Sequence, residues 1–372
     1  MSEKQYRVAV VGGAGMWGRN YLQAFAQRAD CSVVLVDPSE RAREFAGHFG
    51  VGEVLDTLEE LLKRETPDIV ANILPVRLSH DAVIACAEAG VKAVSCEKPM
   101  AVELSAADEM VRVCRERGTA FGCATAYWEV PFLQECARWL REGHIGQLKA
   151  VSIPGGLPRE VSGAGCVQLT QMRLVTGMEV EWVEGWVLPP EPGWTLPDGA
   201  EEYEIDCPAH GRLGLSGGLI CDIPAPREEG PVHCRVWVDG EEGQAWFNGP
   251  RPILIQGKGA SSTPVYPDFL HQEQQGLFSQ VCERMVRAVE RGDGQIECSG
   301  HDYRQALEIA LALKQSARSG HERVALPLVD RSLKIYPHDY RLRGGDVAGW
   351  GSIGYDGPPQ VEGRPNLNRP KS

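Results

Sequence analysis

A glycine-rich turn between a hydrophobic segment and a helix lies near the start of this 372-residue chain. Residues 6–11 form a short, mostly apolar run of the kind that makes a buried parallel strand. In the turn, Gly13 permits a sharp bend, Gly15 lets the backbone approach a bound group, and Gly18 lets the helix pack close to the strand. Free N–H groups at the helix start attract an anion. The segment therefore predicts a site for a phosphate-bearing ligand.

An acidic residue follows the next apolar run. Asp37 comes directly after residues 31–36, where a carboxylate accepts hydrogen bonds from a ribose diol and repels a 2′-phosphate. Strand, glycines, helix and acid occur in this order within about thirty residues, which predicts a dinucleotide-binding fold with NAD as the cofactor. NADP stays possible because Arg41 and Arg43 either accept a 2′-phosphate or lie on an exposed helix face.

Composition and charge exclude several classes of partner. The chain has a formal net charge of −13, with 43% hydrophobic and 24% charged residues, as expected for an ordinary globular protein of two domains. An acidic chain with scattered Arg and Lys residues opposes a broad phosphate-binding surface, so we predict no nucleic-acid or membrane partner. No apolar run approaches the length that spans a bilayer, which predicts a cytoplasmic protein.

The 12 cysteines and 9 histidines show no metal-ligand spacing. The cysteines are spread from Cys31 to Cys298 without a Cys-x-x-Cys pair, and no His-Glu-x-x-His sequence occurs. We therefore predict no structural or catalytic metal. Most cysteines are expected to be small buried residues in a reducing compartment.

Strand and helix patterns alternate through the first third of the chain, which is typical of a doubly wound parallel sheet. This predicted Rossmann dinucleotide-binding domain covers residues 1–125. Its strands are predicted near 6–11, 32–37, 69–74, 92–96 and 120–124, with helices at 39–48, 58–64, 80–89 and 106–117.

The pattern changes in residues 126–328, which predict an α+β substrate and oligomerisation domain. Short alternating runs between Pro and Gly clusters indicate a mainly antiparallel sheet with one packed face, and the other face must be exposed or paired. We therefore predict a homo-oligomer, either a dimer or a tetramer. The runs are 180–187, 211–222, 233–238 and 244–248, and helices are predicted after residue 132, at 277–289 and at 302–319.

Residues 329–372 form a tail that is rich in glycine, proline and polar residues and cannot build a core alone. Its aromatic residues Tyr336, Tyr340, Trp350 and Tyr355 are widely spaced. Two interpretations stay open. The tail is either a mobile terminus or an arm whose aromatic residues dock on a neighbouring subunit or over the chain's own active site.

A Glu-Lys-Pro sequence, Glu97 to Pro99, directly follows the predicted strand at 92–96, at the carboxyl end of the sheet, where doubly wound folds place their ligands. With the Rossmann pattern before it and the antiparallel sheet after it, this motif resembles the Gfo/Idh/MocA family of NAD(P)-dependent oxidoreductases over roughly residues 5–328. Pro75 adds to the resemblance, because the family has a Thr-Pro or similar pair beside the nicotinamide at this position.

The resemblance implies that Lys98 lies beside the nicotinamide and the reacting carbon. A cation there can polarise a carbonyl oxygen or stabilise a developing alkoxide, and Glu97 would pair with or orient it. Lys98 and Glu97 are therefore the candidate catalytic residues. The predicted cofactor-binding residues are Gly13, Gly15, Met16, Trp17, Gly18, Asp37, Pro38, Arg41, Leu74, Pro75, His80, Glu97 and Lys98.

The family's second motif, His-x-x-Asp at the start of a helix, supplies its general acid and base. The corresponding segment is 163–177. When it is anchored on its glycines and arginine, the His and Asp positions hold Val167 and Thr170; shifted by one residue, they hold Gln168 and Gln171. Glutamine can hydrogen-bond a hydroxyl but cannot take its proton, so the resemblance implies that the acid–base pair is absent.

Three answers to this absence stay open. Lys98 could itself be the base, or another residue could enter the site, with Tyr127, Glu129, His80 and His271 as candidates. Alternatively, the substrate needs no strong protein base. The predicted substrate-binding residues are Gln168 and Gln171, as clamps on one helix face, and Tyr127 and Trp128, which could stack on a substrate ring.

The resemblance implies an enzyme that transfers a hydride to or from a small-molecule substrate, namely a sugar, a cyclitol or a related polyhydroxylated compound. The absent acid–base pair leaves two alternatives. One is a reductase for an imine or an unusual carbonyl in specialised metabolism, and the other is a protein that binds NAD without redox chemistry.

Overall fold

The computed structural model describes residues 5–123, 132–157, 159–190, 196–226, 234–248 and 251–344. Its contacts divide the chain into two compact units. Within the described residues, the first unit contains 5–123, 276–304 and 338–344, and the second contains the described part of 127–275 together with 305–337. The sequence predicted continuous domains at 1–125 and 126–328 and a separate tail, whereas each unit is built from separated stretches.

Ten α-helices are present in the described residues, and local sequence explains several of their ends. In the third helix, for example, Thr57 accepts a hydrogen bond from the N–H of Glu60 at 3.1 Å, and basic residues occupy the last turn. The helices are α1 (Gly18–Ala26), α2 (Ala42–His48), α3 (Leu58–Arg64), α4 (Val76–Glu88), α5 (Leu104–Arg117), α6 (Leu133–Arg141), α7 (Cys166–Thr176), α8 (Leu277–Arg291), α9 (Gly300–Arg318) and α10 (Asp339–Arg343).

The first unit contains a six-stranded parallel sheet in the order β3-β2-β1-β4-β5-β6. Strand order reverses beside β1, so the connections after β1 and β4 leave a crevice at the carboxyl edge. The short strand β3 was not predicted, because three residues with one acidic member carry too little pattern. The strands are β1 (Tyr6–Val11), β2 (Cys31–Val36), β3 (Glu53–Leu55), β4 (Ile69–Asn72), β5 (Ala93–Cys96) and β6 (Ala120–Cys123).

Helix α8 belongs to the first unit, although the sequence predicted it within the second domain. Its buried residues Val281, Met285 and Val286 join the same core cluster as Tyr21 of α1 and Val10 of β1. The helix pattern predicted the apolar stripe but not its partner, since many sheet faces can cover such a stripe.

The second unit contains a nine-stranded sheet in the order β14-β13-β12-β11-β7-β10-β9-β8-β15. Only β10 and β7 pair in parallel; the other neighbours are antiparallel. The predicted fold class, a Rossmann sheet plus a mainly antiparallel α+β part, is therefore confirmed. The strands are β7 (Leu148–Ser152), β8 (Val180–Val187), β9 (Ala209–Leu215), β10 (Ile220–Ile223), β11 (Cys234–Gly240), β12 (Gly243–Asn248), β13 (Ile253–Gln256), β14 (Thr263–Pro264) and β15 (Val324–Ala325).

The run predicted as one strand at 211–222 is a hairpin of β9 and β10. The chain reverses at Gly217 and Gly218, which have φ values of 90° and 85°. These left-handed conformations suit glycine and not residues with a side chain. Alternation on both sides of the turn had made the two strands resemble one.

Part of the predicted tail packs against the rest of the chain. Tyr336 pairs with Ile205 as an isolated bridge, and the side chain of Ile335 is fully buried. Helix α10 follows within the first unit. Trp350 and Tyr355, the other two aromatic residues singled out in the tail, lie outside the described residues.

No helix in the described ranges has both the length and the apolar character needed to cross a membrane. The same ranges contain no group of three or more His, Cys, Asp and Glu side chains arranged for a metal ion. The cytoplasmic location and the lack of a metal stay predictions.

Candidate cofactor and active site

The glycine-rich turn follows β1 and is held by backbone hydrogen bonds to β2 and within the turn. The N–H of Gly12 donates to the carbonyl of Val36 at 2.8 Å, and the N–H of Gly15 donates to the carbonyl of Gly12 at 3.1 Å. Gly12 has a φ of 77°, and a Cβ on Gly18 would collide with the backbone of Gly12 and Gly13. Glycine is required at Gly12 by conformation and at Gly18 by close approach of the helix to the turn. Gly12 was not among the predicted residues.

Asp37 follows β2 and is bonded to two loops. One carboxylate oxygen accepts from the N–H of Ala14 in the glycine turn, and the other accepts from the N–H of Ser39, both at 2.9 Å. The residue is buried, yet each carboxylate oxygen has a second lone pair that can accept from a ribose hydroxyl. The sequence thus places an acceptor beside the turn that would hold the phosphates.

A cavity of about 400 Å³ opens at this turn, and all of its lining residues lie in the first unit. Its size falls within the roughly 300–1,000 Å³ of small-molecule sites. Of the predicted cofactor residues, Gly13, Arg41 and His80 do not line it. Those that do are Gly15, Met16, Trp17, Gly18, Asp37, Pro38, Leu74, Pro75, Glu97 and Lys98.

A second cavity of about 470 Å³ shares Gly12, Pro38, Leu74 and Leu78 with the first. Its remaining lining is mostly apolar. Aliphatic side chains of this kind can cover the faces of a flat ligand ring. The other lining residues are Val11, Val36, Asp56, Leu58, Glu59, Leu62, Lys63, Asp81, Ala82 and Ala85.

The Glu-Lys-Pro turn follows β5 and is tied to α1. Glu97 accepts a hydrogen bond from the hydroxyl of Tyr21 at 3.2 Å and from the N–H of Lys98 at 3.3 Å. Burial raises the pKa of Glu97, while the ammonium of Lys98 and, more weakly, the guanidinium of Arg341 oppose that rise. Tyr21 is fully buried, and burial followed by the charge of Glu97 raises the pKa of its hydroxyl well above the usual range. Tyr21 therefore links the helix of the glycine turn to the turn that carries Lys98.

Two predicted cofactor residues make other contacts. The imidazole of His80 lies 2.8 Å from a carboxylate oxygen of Asp81 and 3.0 Å from one of Glu109. Burial alone would lower the pKa of His80, but these two carboxylates outweigh it and raise the pKa. The guanidinium of Arg41 lies 4.9 Å from the ring centre of Phe45.

Sequence reasoning missed several residues of the first cavity. Arg77 and Leu78 lie two and three positions after Pro75, so the motif could have indicated them. Four further lining residues lie more than two hundred positions along the chain from the other walls, namely Tyr340, Arg341, Arg343 and Gly344. Of these, the sequence singled out only the aromatic Tyr340.

The predicted substrate residues of α7 lie in the second unit. Gln171 is 0% exposed, whereas Gln168 is half-buried. Only Gln168 therefore presents surface to a ligand, and the role of both residues stays a prediction. The hydroxyl of Thr170 donates to the carbonyl of Val167 at 3.1 Å within the helix. Of the other candidates, His271 is exposed in the second unit, and Tyr127, Trp128 and Glu129 lie outside the described residues.

A buried carboxylate holds the π-helical turn Val161–Gly165 that leads into α7. Asp206 accepts from the N–H groups of Val161 at 2.9 Å and Ser162 at 2.7 Å, and from the hydroxyl of Ser162 at 2.5 Å. Burial and then the neighbouring charge of Glu160 raise the pKa of Asp206 to about 6. The sequence offered no signal for this contact, because Asp206 lies more than forty positions from the turn.

Comparison with known proteins covers both parts of the chain. The family described as "Oxidoreductase family, NAD-binding Rossmann fold" matches residues 6–125. The 1,5-anhydro-D-fructose reductase of Ensifer adhaerens is 36% identical over 304 residues, which cover 76% of this chain and 87% of that protein. D-apiose dehydrogenase of Paraburkholderia graminis is 32% identical over 146 residues, so the match spans only 38% of that relative's length.

Solved structures agree on the fold. Levoglucosan dehydrogenase in complex with NADH and levoglucosan has a TM-score of 0.70 and 19% identity over 87% of this chain and 100% of that one. At this identity the likeness supports the fold alone. The predicted family and its NAD cofactor class are both confirmed by these comparisons. The chain belongs to the Gfo/Idh/MocA family of NAD-binding oxidoreductases.

Proposed function

We propose that this protein is an NAD(P)-dependent oxidoreductase that acts on a sugar, a cyclitol or a related polyhydroxylated compound. The observation that carries the proposal is that the glycine turn, Asp37 and Lys98 line one cavity. The names of two relatives, a reductase of anhydrofructose and a dehydrogenase of apiose, support the substrate class.

The residues of the cavity fit a dinucleotide. Gly18 lets α1 begin close against the glycine turn, where a Cβ would collide with the backbone of Gly12 and Gly13, and N–H groups at the start of α1 suit a pyrophosphate. Asp37 offers the acceptor for the ribose diol and disfavours a 2′-phosphate, so NAD is the preferred form. When bound, the nicotinamide would supply or accept the hydride.

Lys98 provides the positive charge for the reaction. Its side chain is half-buried on the cavity wall, and an ammonium there stabilises negative charge on the substrate oxygen more than bulk water would. The carboxylate of Glu97 accepts hydrogen bonds from the backbone N–H of Lys98 and from the hydroxyl of Tyr21. In this arrangement Lys98 is the catalytic residue, and the other two position it.

The proton of an alcohol substrate still needs an acceptor. Val167 and Thr170 cannot serve, and the buried amide of Gln171 cannot take a proton near neutral pH. Lys98 is the proposed base for an alcohol: its neutral amine takes the hydroxyl proton and becomes the ammonium that faces the substrate oxygen. The second candidate is reduction of an imine or an unusual carbonyl, which needs no such base. The absence of the family's His and Asp pair favours it.

The test is a screen for change in nicotinamide absorbance with pooled sugars, cyclitols and imines, run with NAD(H) and NADP(H) in both directions. Turnover with a polyhydroxylated compound supports the proposal. Turnover confined to imines would establish the second candidate. Tight NAD binding with no turnover on any pool would instead favour an NAD-binding protein without redox chemistry.

We also propose that the protein is a homo-oligomer, formed through the open face of the second unit's sheet. Neighbours of Trp237 and Trp246 along their strands are buried, so these two indoles lie on the opposite face, with ring centres 5.6 Å apart. Ile253 pairs with Trp246 across β12 and β13 and is 47% exposed. An apolar group of this kind is stabilised when a second copy covers it.

A further inference from the structure

Helix α10 forms one wall of the cofactor cavity. Tyr340, Arg341, Arg343 and Gly344 line it together with the glycine turn and the Glu-Lys-Pro turn. All of these residues belong to the first unit. The Rossmann pattern of the first 125 residues does not contain this wall, and no motif of the resemblance extends to it.

Packing anchors α10 to this place. His338, Asp339 and Leu342 are buried, and a guanidinium N–H of Arg341 donates to the carbonyl of Lys98 at 3.4 Å. At the end of the helix, a Cβ built on Gly344 would lie 3.4 Å from Cγ of Pro75. The segment thus touches the two loops between which the nicotinamide half of a dinucleotide would lie.

The charges of α10 change the character of the cavity. Outside the helix, the charged lining residues are two basic ones, Arg77 and Lys98, and two acidic ones, Asp37 and Glu97, so their formal charges sum to zero. The helix adds Arg341 and Arg343, so the lining has four basic and two acidic residues.

Asp339 pairs with Arg343 but does not line the cavity. Counting Asp339 still leaves one positive charge in excess, in a chain whose formal net charge is −13. Local positive charge in an acidic protein fits an anionic ligand.

We propose that Arg341, supported by Arg343, binds an anionic group of the small molecule held in this cavity. This proposal rests on the proposed function. Phosphate and carboxylate share the chemistry that a guanidinium recognises, because its planar N–H groups can donate to two oxygens at once. The anion is either the pyrophosphate of the dinucleotide or a carboxylate or phosphate on the substrate.

The experiment uses the full-length protein and the variants Arg341→Gln, Arg341→Lys and Arg343→Gln. Arg112→Gln is the matched control, since Arg112 is a half-exposed arginine of the first unit that pairs with Glu116 and lines neither cavity. Circular dichroism and melting temperature identify any variant that fails to fold. Dissociation constants are measured for NADH and for ADP-ribose, which keeps the pyrophosphate but lacks the nicotinamide. Gluconate and glucose are then titrated into NADH-saturated protein as an anionic and a neutral sugar.

If the anion is the pyrophosphate, Arg341→Gln weakens NADH and ADP-ribose by the same factor, roughly tenfold. The lysine variant should recover part of this loss, and Arg343→Gln should cost less because Asp339 already neutralises its charge. If the anion is on the substrate, Arg341→Gln leaves both dinucleotide dissociation constants unchanged. The wild type then binds gluconate but not glucose, and Arg341→Gln no longer binds gluconate.

The proposal would be overturned if Arg341→Gln bound both ADP-ribose and gluconate as tightly as the wild type does. It would also be overturned if Arg112→Gln lost as much affinity as Arg341→Gln. A wild-type protein that binds neither NADH nor ADP-ribose would overturn the proposed function itself, which is a different result from unchanged binding in the variants.

Discussion

At the scale of single residues, the site depends on a few side chains held by backbone contacts. Asp37 is bonded to both the glycine turn and the loop after β2, and Glu97 is bonded between Tyr21 and the Lys98 backbone. The motifs predicted Asp37, Glu97 and Lys98 because each lies within a few residues of a strand end. Tyr21 could not be predicted, since nothing in a helix pattern says which residue its hydroxyl will reach.

Replacing Lys98 tests its catalytic role. We expect Lys98→Ala to lower kcat by about 100- to 1,000-fold, because an electrostatic contact to the reacting oxygen is lost, and to leave the NADH dissociation constant within a few-fold. Lys92→Ala is the control, as Lys92 is an exposed lysine that pairs with Asp68. Hydride transfer at a near-normal rate in Lys98→Ala would show that another residue carries this role.

Replacing Asp37 tests cofactor choice. Asp37→Ala should weaken NAD by roughly tenfold and relax discrimination against NADP, because ribose hydrogen bonds and charge repulsion are lost together. Asp37→Asn keeps one acceptor oxygen and should lose mainly the repulsion. The measurement is the ratio of kcat/KM for the two cofactors. An unchanged ratio in both variants would move the discrimination to Arg41 and Arg43.

At the scale of elements, the local sequence pattern predicted most helices and strands. It failed where a strand was very short or where pairing with neighbours defined the strand ends. The three-residue strand β3 was missed, and the β9–β10 hairpin was predicted as one run. Both cases have the same cause. A strand this short, or a turn between two alternating runs, is defined by pairing with neighbours and not by composition.

The π-helical turn before α7 gives a pH-dependent prediction. The pKa of Asp206 is raised to about 6 from an ordinary value of 3.8, so the folded protein binds this proton more tightly than the unfolded chain does. Stability from this group is therefore fully present below about pH 4 and is lost as the pH rises to about 6. The expected loss is on the order of 1–3 kcal/mol in the free energy of unfolding.

Denaturant unfolding of the wild type and of Asp206→Asn between pH 4 and pH 7 checks this expectation. Carboxylates elsewhere titrate in both proteins, so the difference between the two curves reports Asp206 together with its charge interaction with Glu160. As the pH rises, the free energy of unfolding of the wild type should fall relative to that of Asp206→Asn. Asp222→Asn, at an exposed aspartate of the same unit, should run parallel to the wild type. A parallel curve for Asp206→Asn would contradict the prediction.

At the scale of the whole molecule, the open sheet face of the second unit is the surface to test. Ile253→Glu should shift the protein toward monomers, since burying an unpaired carboxylate at an interface is costly. Light scattering after gel filtration gives the mass of each species. Glu241→Gln, at an exposed residue after β11, serves as the control. A wild type that is already monomeric, or a variant with unchanged mass, would rule out this face as the interface.

The sequence by itself determined the Rossmann fold, the dinucleotide turn, the acid after β2 and the family, because each depends on residues that are near one another along the chain. Only the tertiary structure decided that α8 and α10 join the first unit. It also placed Arg341 against Lys98, 243 positions away. Such contacts follow from which surfaces bury each other in the folded chain, and the local periodicity of a sequence does not encode that choice.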